Sequence, residues 1–204
     1  MRIAVVDHGA GNLVSIARGL ERAGADVVIA ETPELLVGAA GVVLPGVGAT
    51  ASVMEGIRSA GFEEPLEALE VPLFGICVGM QVLFESSEED GAACLGLIAG
   101  QVRRLRKAPK LPHIGWNALQ VADDPLFAGL GPEPVVYFVH SYAPVADDDS
   151  VVIARSSYDE PFTAAVRSGR VSGTQFHPER SGAVGLRILA NFVAECRQTA
   201  AVPS

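Results

Sequence analysis

Only three of the 204 residues are cysteine (Cys77, Cys94 and Cys196), and no two of them form a Cys-x-x-Cys pair. An odd number of widely spaced thiols excludes a disulfide framework and suits free thiols in a reducing compartment. Positive charge is also scarce. Fifteen Lys and Arg stand against 24 Asp and Glu, a net charge of -9, so the basic face that nucleic acid or an anionic membrane requires is missing. No apolar run reaches the roughly 18–20 residues of a membrane span. The opening Met1-Arg2-Ile3-Ala4-Val5-Val6-Asp7 is too short an apolar run for a signal peptide and has no small-residue cleavage site. The reading is a cytoplasmic protein. Internal repeats and low-complexity segments are lacking too.

What is present is apolar. Forty-nine per cent hydrophobic residues with 19% charged is a globular, well-buried composition. The length suits one domain with a full core, read as residues 1–198 with a frayed tail over 199–204. Ile3–Val6, Val27–Ile29 and Val42–Leu44 are short apolar runs of the kind buried on both faces of a parallel sheet. Between the first two, a helix is predicted from Leu13 to Ala23. A short helix follows near Pro33–Val37, and helical segments fill Ala49–Leu69, broken at Gly61 and Pro65. Alternation of this kind predicts a mostly parallel sheet layered by helices. The second half changes to strand-like segments near 100–105, 114–121, 135–138, 151–154, 162–166 and 171–175. These predict antiparallel additions, including a hairpin turn at Arg167–Arg170, before a last helix from Gly182 to Arg197.

Gly75-Ile76-Cys77-Val78-Gly79-Met80-Gln81 follows an apolar strand and precedes Met80-Gln81-Val82-Leu83-Phe84, which has the apolar spacing of a helix start. Strand to helix through Gly-x-Cys-x-Gly is the layout of a nucleophile elbow. The sharp turn lifts the central side chain to a helix N-terminus, where backbone N–H groups favour a thiolate. Standing alone, a cysteine among apolar residues is usually a small buried hydrophobe; the flanking glycines and the strand-to-helix setting bring the two readings level. Further on, the strand Val171–Phe176 ends in His177-Pro178-Glu179. Proline fixes the bend so that Glu179 can hold one tautomer of His177. A lone His-Pro-Glu is an ordinary turn, but with an elbow cysteine it completes a set of nucleophile, base and orienter.

These two motifs together resemble the class I, triad-type glutamine amidotransferases. Asp7-His8-Gly9-Ala10-Gly11-Asn12-Leu13, Leu44-Pro45-Gly46-Val47-Gly48, Pro112-His113-Ile114-Gly115-Trp116-Asn117 and Tyr137-Phe138-Val139-His140-Ser141-Tyr142 narrow the resemblance to the glutaminase subunits of imidazole glycerol phosphate synthases, as does the ending Gly185–Phe192. The resemblance implies a flavodoxin-like three-layer α/β sandwich. It implies release of ammonia from glutamine by Cys77, His177 and Glu179 through a glutamyl thioester, without cofactor or metal. The oxyanion donors would be Val78 and the Val47–Gly48 stretch, and the glutamine would be held by Gly46, Gln81, Glu89, Ser141 and Tyr142. It further implies a (β/α)8-barrel cyclase partner, docked through Asn12, Trp116, Tyr137 and Arg180. That partner would use the ammonia to make imidazole glycerol phosphate and aminoimidazole carboxamide ribotide for histidine synthesis. The chain departs from the family at His8 (usually tyrosine), Thr50 (commonly phenylalanine) and Arg180 (usually lysine). The last bears on docking, because arginine is not a longer lysine.

Other residues take plainer readings. Arg103, Arg104, Arg106 and Lys107 form a solvated basic run, and Asp147–Asp149 an exposed loop. His113 and His140 read as structural hydrogen-bonders, and Trp116 also as a core residue. Three rival functions stay open here: a subunit serving anthranilate, guanylate or carbamoyl phosphate synthesis, a silent scaffold of the same fold, and a lone cysteine hydrolase.

Overall fold

The computed structural model of the chain describes residues 1–201. Its first half alternates as the sequence predicts: β1 (Arg2–Val6), α1 (Leu13–Arg22), β2 (Asp26–Ala30), β3 (Gly41–Gly46), α2 (Thr50–Ser59), α3 (Glu63–Glu67) and β4 (Leu73–Cys77). A 3-10 turn at Pro33–Leu36 occupies the place of the short helix expected there. The chain continues through α4 (Val78–Gln81), β5 (Phe84–Ser87), β6 (Ile98–Arg104), β7 (His113–Ala118), β8 (Gln120–Val121), β9 (Val135–His140) and β10 (Tyr142–Ala146). β11 (Val152–Ser157), β12 (Pro161–Ser168), β13 (Val171–Thr174) and α5 (Gly182–Ala201) complete it.

Eight strands form one sheet in the order β2-β1-β3-β4-β13-β12-β11-β8. The strands from β2 to β13 in that order are parallel neighbours. β12, β11 and β8 extend the sheet antiparallel, and the expected hairpin joins β12 to β13 with Gly169 at φ 55°. Ile3–Val6 and Val42–Leu44 are wholly buried, as strands between two helical layers must be. Alternation along β4 assigns the layers. Phe74 points to one face and stacks on Phe192 of α5 with centroids 5.1 Å apart. Gly75 points to the other, where α4 lies so close that a Cβ would strike the backbone of Gly79. A small sheet, β10-β6-β5, and a two-stranded ribbon, β7-β9, stand beside the main sheet.

Several boundaries differ from expectation. The helix expected to follow Cys77 stops after one turn, because the backbone of 82–84 pairs with a later segment: Leu95 N–H donates to Val82 O, Gly96 to Phe84 O and Ile98 to Leu83 O. Pro65 does not break a helix but is the third residue of α3, where its missing N–H would have had no helical partner. The strand expected over 114–121 is two strands, since the chain changes sheets at Leu119. β10 was not expected, because Pro144 argues against a strand; it lies at the edge of the small sheet, where proline is tolerated. The last helix runs to Ala201 rather than Arg197, so 199–201 of the expected frayed tail are helical and 202–204 lie outside the described residues.

Candidate active site

The end of β4 and the start of α4 make the bend. Cys77 has φ 56° and ψ -111°, a region costly for any side-chain-bearing residue. Neighbouring backbones hold it there. Gly46 lies opposite Cys77 in the β3–β4 register, a Cβ on Gly79 would run into the Leu44 carbonyl oxygen, and one on Gly46 would strike α4. Cys77 is 3% exposed. Its sulfur lies 3.8 Å from the Val139 carbonyl oxygen and 3.7 Å from Nε2 of Gln175.

His177 enters from the end of β13, next to β4 in the sheet. Its Nδ1 is 2.8 Å from Oε1 of Glu179, which is itself buried. Burial pulls the His177 pKa down, but hydrogen bonds to Cys77 and Glu179, with the charges of both, outweigh it and raise the value to about 10. The ring is therefore charged at neutral pH, between the Cys77 sulfur on one side and the Glu179 carboxylate on the other. The electrostatic partner of the sulfur is this imidazolium; a one-turn helix aligns too few peptides to contribute a large dipole.

The other expected residues fall into two groups. Gly46, opposite Cys77 in the register, is buried, and it is followed by Val47, 41% exposed, and Gly48, with φ 89°. Val78 follows the sulfur and is buried. Gln81 is buried nearby, its Nε2 donating to the Tyr142 carbonyl oxygen and to Oε1 of Gln175, each at 3.0 Å. Ser141 links β9 to β10, and its carbonyl oxygen accepts from Leu105 N–H at 3.0 Å. Glu89 is already engaged, its Oε2 accepting from the backbone N–H and the hydroxyl of Thr50 at 3.0 and 3.2 Å. The departure at Thr50 thus supplies the hydroxyl that ties Glu89 to the head of α2. The departure at His8 is also used, with Nε2 2.7 Å from the Pro45 carbonyl oxygen.

The second group faces outward. Trp116 is 55% exposed, not a core residue, and meets Tyr137 edge-on with centroids 5.6 Å apart. The Arg180 guanidinium lies over the same Tyr137 ring at 4.5 Å. Asn12 is exposed at the head of α1, which packs against the Pro178–Arg180 turn. β7 is inverted for a sheet strand: His113 faces inward while Ile114 and Trp116 face solvent. Sequence reasoning missed the side chain of Gln175, although the residue lies in the quoted Gln-Phe-His-Pro-Glu motif, and it missed the Val139 carbonyl, which no residue type announces.

The family "Glutamine amidotransferase class-I" matches residues 4–196, so the chain belongs to the class I glutamine amidotransferases. It is 48% identical over 200 residues to imidazole glycerol phosphate synthase subunit HisH of Chloroflexus aurantiacus, covering 94% of each chain. It is 51% identical over 207 residues to the subunit of the same name from Halobacterium salinarum, covering 95% of this chain and 93% of the relative. Within the class it falls in the HisH family. The fold is also that of PurLQS from Thermotoga maritima, with a TM-score of 0.72 at 21% identity over 95% of this chain and 97% of the other.

Proposed function

We propose that the chain hydrolyses L-glutamine to glutamate and ammonia and delivers the ammonia to a (β/α)8-barrel cyclase subunit, which makes imidazole glycerol phosphate and aminoimidazole carboxamide ribotide in histidine synthesis. The observation that carries this reading is the buried run Cys77, His177, Glu179, with the imidazole held charged between sulfur and carboxylate. Cys77 thiolate adds to the side-chain amide carbon of glutamine. The tetrahedral oxyanion takes hydrogen bonds from the N–H of Val78 and of Val47 or Gly48; one such donor is worth roughly 2.7–4 kcal/mol. Collapse expels ammonia, which takes its proton from His177 and leaves a glutamyl thioester. Neutral His177 then draws a proton from water, the hydroxide attacks the thioester, and glutamate leaves as the thiolate and imidazolium re-form. Glu179 holds the ring in the tautomer this sequence needs. Gly46, Gln81, Glu89, Ser141 and Tyr142 hold the glutamine.

Asn12, Trp116, Tyr137 and Arg180 form the docking face for the cyclase. An exposed tryptophan braced by a tyrosine, itself capped by an arginine, is the kind of anchor from which interfaces draw affinity. Ammonia release measured with and without the cyclase, for the wild type and Cys77→Ala, tests both halves. Ammonia release is expected from the wild type with the cyclase and none from the variant; full activity in Cys77→Ala ends the mechanism.

A further inference from the structure

Two buried histidines outside the triad stand at one end of a run of hydrogen bonds whose other end is the sulfur of Cys77. Nδ1 of His113, on β7, is 3.2 Å from Nε2 of His140, on β9. Nδ1 of His140 is 2.9 Å from the Tyr142 carbonyl oxygen, which also accepts from Nε2 of Gln81. The second N–H of that amide goes to Oε1 of Gln175, and Nε2 of Gln175 faces the sulfur.

Counting protons fixes the inner part of the run. A carbonyl oxygen only accepts, so His140 carries its proton on Nδ1. Burial pushes His140 down to about 3, so the ring is neutral and its Nε2 is a bare acceptor. A proton on Nδ1 of His113 satisfies this buried contact, whereas a proton on Nε2 would leave two bare nitrogens facing each other 3.2 Å apart. Burial lowers the His113 pKa against the hydrogen bond to Asn117, and a neutral ring protonated at Nδ1 has a bare Nε2. That atom lies 2.9 Å from Oδ1 of Asn117, a second acceptor, while Nδ2 of Asn117 donates to the Ser157 carbonyl oxygen. Turning the Asn117 amide over moves the mismatch to Ser157 without removing it. A mismatch costs less at the outer, partly exposed contact than at the buried one, and with the His113 proton on Nδ1 every link from His113 inward pairs a donor with an acceptor. Stacking of His113 on Tyr158, with centroids 4.1 Å apart, and on Phe138 fixes the plane of the first ring.

We propose that His113 and His140 are positioning residues for the nucleophile, acting through the Tyr142 carbonyl, Gln81 and Gln175 on the Cys77 sulfur. The proposal rests on Cys77 being the nucleophile. Its test is the rate of Cys77 alkylation by iodoacetamide in the full chain, followed by peptide mass spectrometry. That readout needs neither glutamine nor partner, so it fails separately from the glutaminase reading. Gln175→Leu and His113→Phe are each expected to slow alkylation about fivefold, the factor one hydrogen bond carries. His113→Gln, whose amide can donate to Nε2 of His140, is expected to restore the rate to within about twofold. Asn117→Ala, beyond the outer end, is expected to leave the rate unchanged. No slowing in His113→Phe, equal slowing in His113→Phe and His113→Gln, or equal slowing in Asn117→Ala overturns the proposal. Should His113→Phe fail to fold, the nitrogen-15 spectrum of the wild-type rings decides. Protonation at Nδ1 of both His113 and His140 is expected, and an Nε2–H tautomer at either breaks the run and overturns the proposal.

Discussion

The backbone N–H of His177 donates to the carbonyl oxygen of Tyr137 at 3.0 Å. Ser181 closes the same corner: its hydroxyl accepts from the N–H of Tyr137 at 3.0 Å and donates to the carbonyl oxygen of His177 at 2.7 Å. The ring of Tyr137 carries Trp116 and Arg180, so one residue joins the aromatic face to the backbone of the histidine in the buried site. β9 and the Pro178–Arg180 turn are stitched into one body, with the solvent-facing cluster on one side and the sulfur on the other.

If that cluster is the docking face, Trp116→Ala weakens binding of the cyclase by about tenfold or more, the usual loss for a central aromatic anchor. Titration calorimetry with the cyclase measures it. Alkylation of Cys77 in the isolated chain is expected to be unchanged, because the side chain of Trp116 points to solvent and takes no part in the hydrogen bonds beneath it. Binding unaltered by Trp116→Ala would move the interface elsewhere.

The charged state of His177 makes a pH prediction. Its pKa is about 10 in the fold against 6.5 in a free chain, so the folded state binds the proton more tightly. The stabilisation is complete below about pH 6.5 and is lost as pH rises through about 10. His140 works in the opposite sense. Held down to about 3, it contributes nothing adverse above about pH 6.5 and costs stability as pH falls toward 3. Thermal melts from pH 6 to 10 are expected to show a falling melting temperature in the wild type and a shallower fall in Glu179→Gln, where the carboxylate no longer favours the charged ring. Equal slopes would mean that Glu179 does not hold the proton on His177.

Much of this was legible in the residues. Ile3–Val6 and Val42–Leu44 announce buried parallel strands because their apolar runs are short, continuous and closed by loop residues. Gly75, Cys77 and Gly79 announce the bend because it needs small neighbours and an exceptional backbone. What could not be read depends on partners distant in the chain. Met80–Phe84 looks like a helix start until Leu95–Ile98 captures the backbone of Val82–Phe84, and Tyr142–Ala146 becomes a strand only because β6 lies beside it. Trp116 was ambiguous for a related reason: on β7 the polar His113 is buried and the apolar Ile114 exposed, reversing the rule that assigns faces. Gln175 was hidden because its role depends on which side chains its strand brings it to, and spacing along one chain does not carry that.

Away from the site, Arg167 is expected to matter for stability alone. Its Nε and Nη2 donate to Asp124 at 2.8 and 3.1 Å, and its Nη1 and Nη2 to Glu195 at 2.7 and 3.1 Å. It thereby ties β12 to the turn after Asp124 and to α5. Arg167→Ala leaves two carboxylates, mostly buried, without their shared cation, a change that costs about 3–5 kcal/mol. For a chain of this length that lowers the melting temperature by roughly 6–20 °C. Calorimetry checks the size, and Cys77 alkylation in the variant below its melting point is expected to match the wild type.

The bend at Cys77 can be tested apart from its chemistry. With φ 56° and ψ -111°, the residue occupies backbone space that costs a side-chain-bearing residue about 1–3 kcal/mol and glycine almost nothing. Cys77→Ala removes the sulfur and keeps the strain. Cys77→Gly removes both, at the cost of extra freedom in the unfolded chain worth about 0.5–1 kcal/mol. Relief of strain outweighs that freedom, so Cys77→Gly is expected to be more stable than Cys77→Ala by about 1 kcal/mol. Both variants lack the sulfur, so the difference, read from denaturant unfolding, reports the backbone alone. A Cys77→Gly variant less stable than Cys77→Ala would mean that the bend is relaxed, and that the close approach of Gly46 and Gly79 merely accommodates the turn without forcing it.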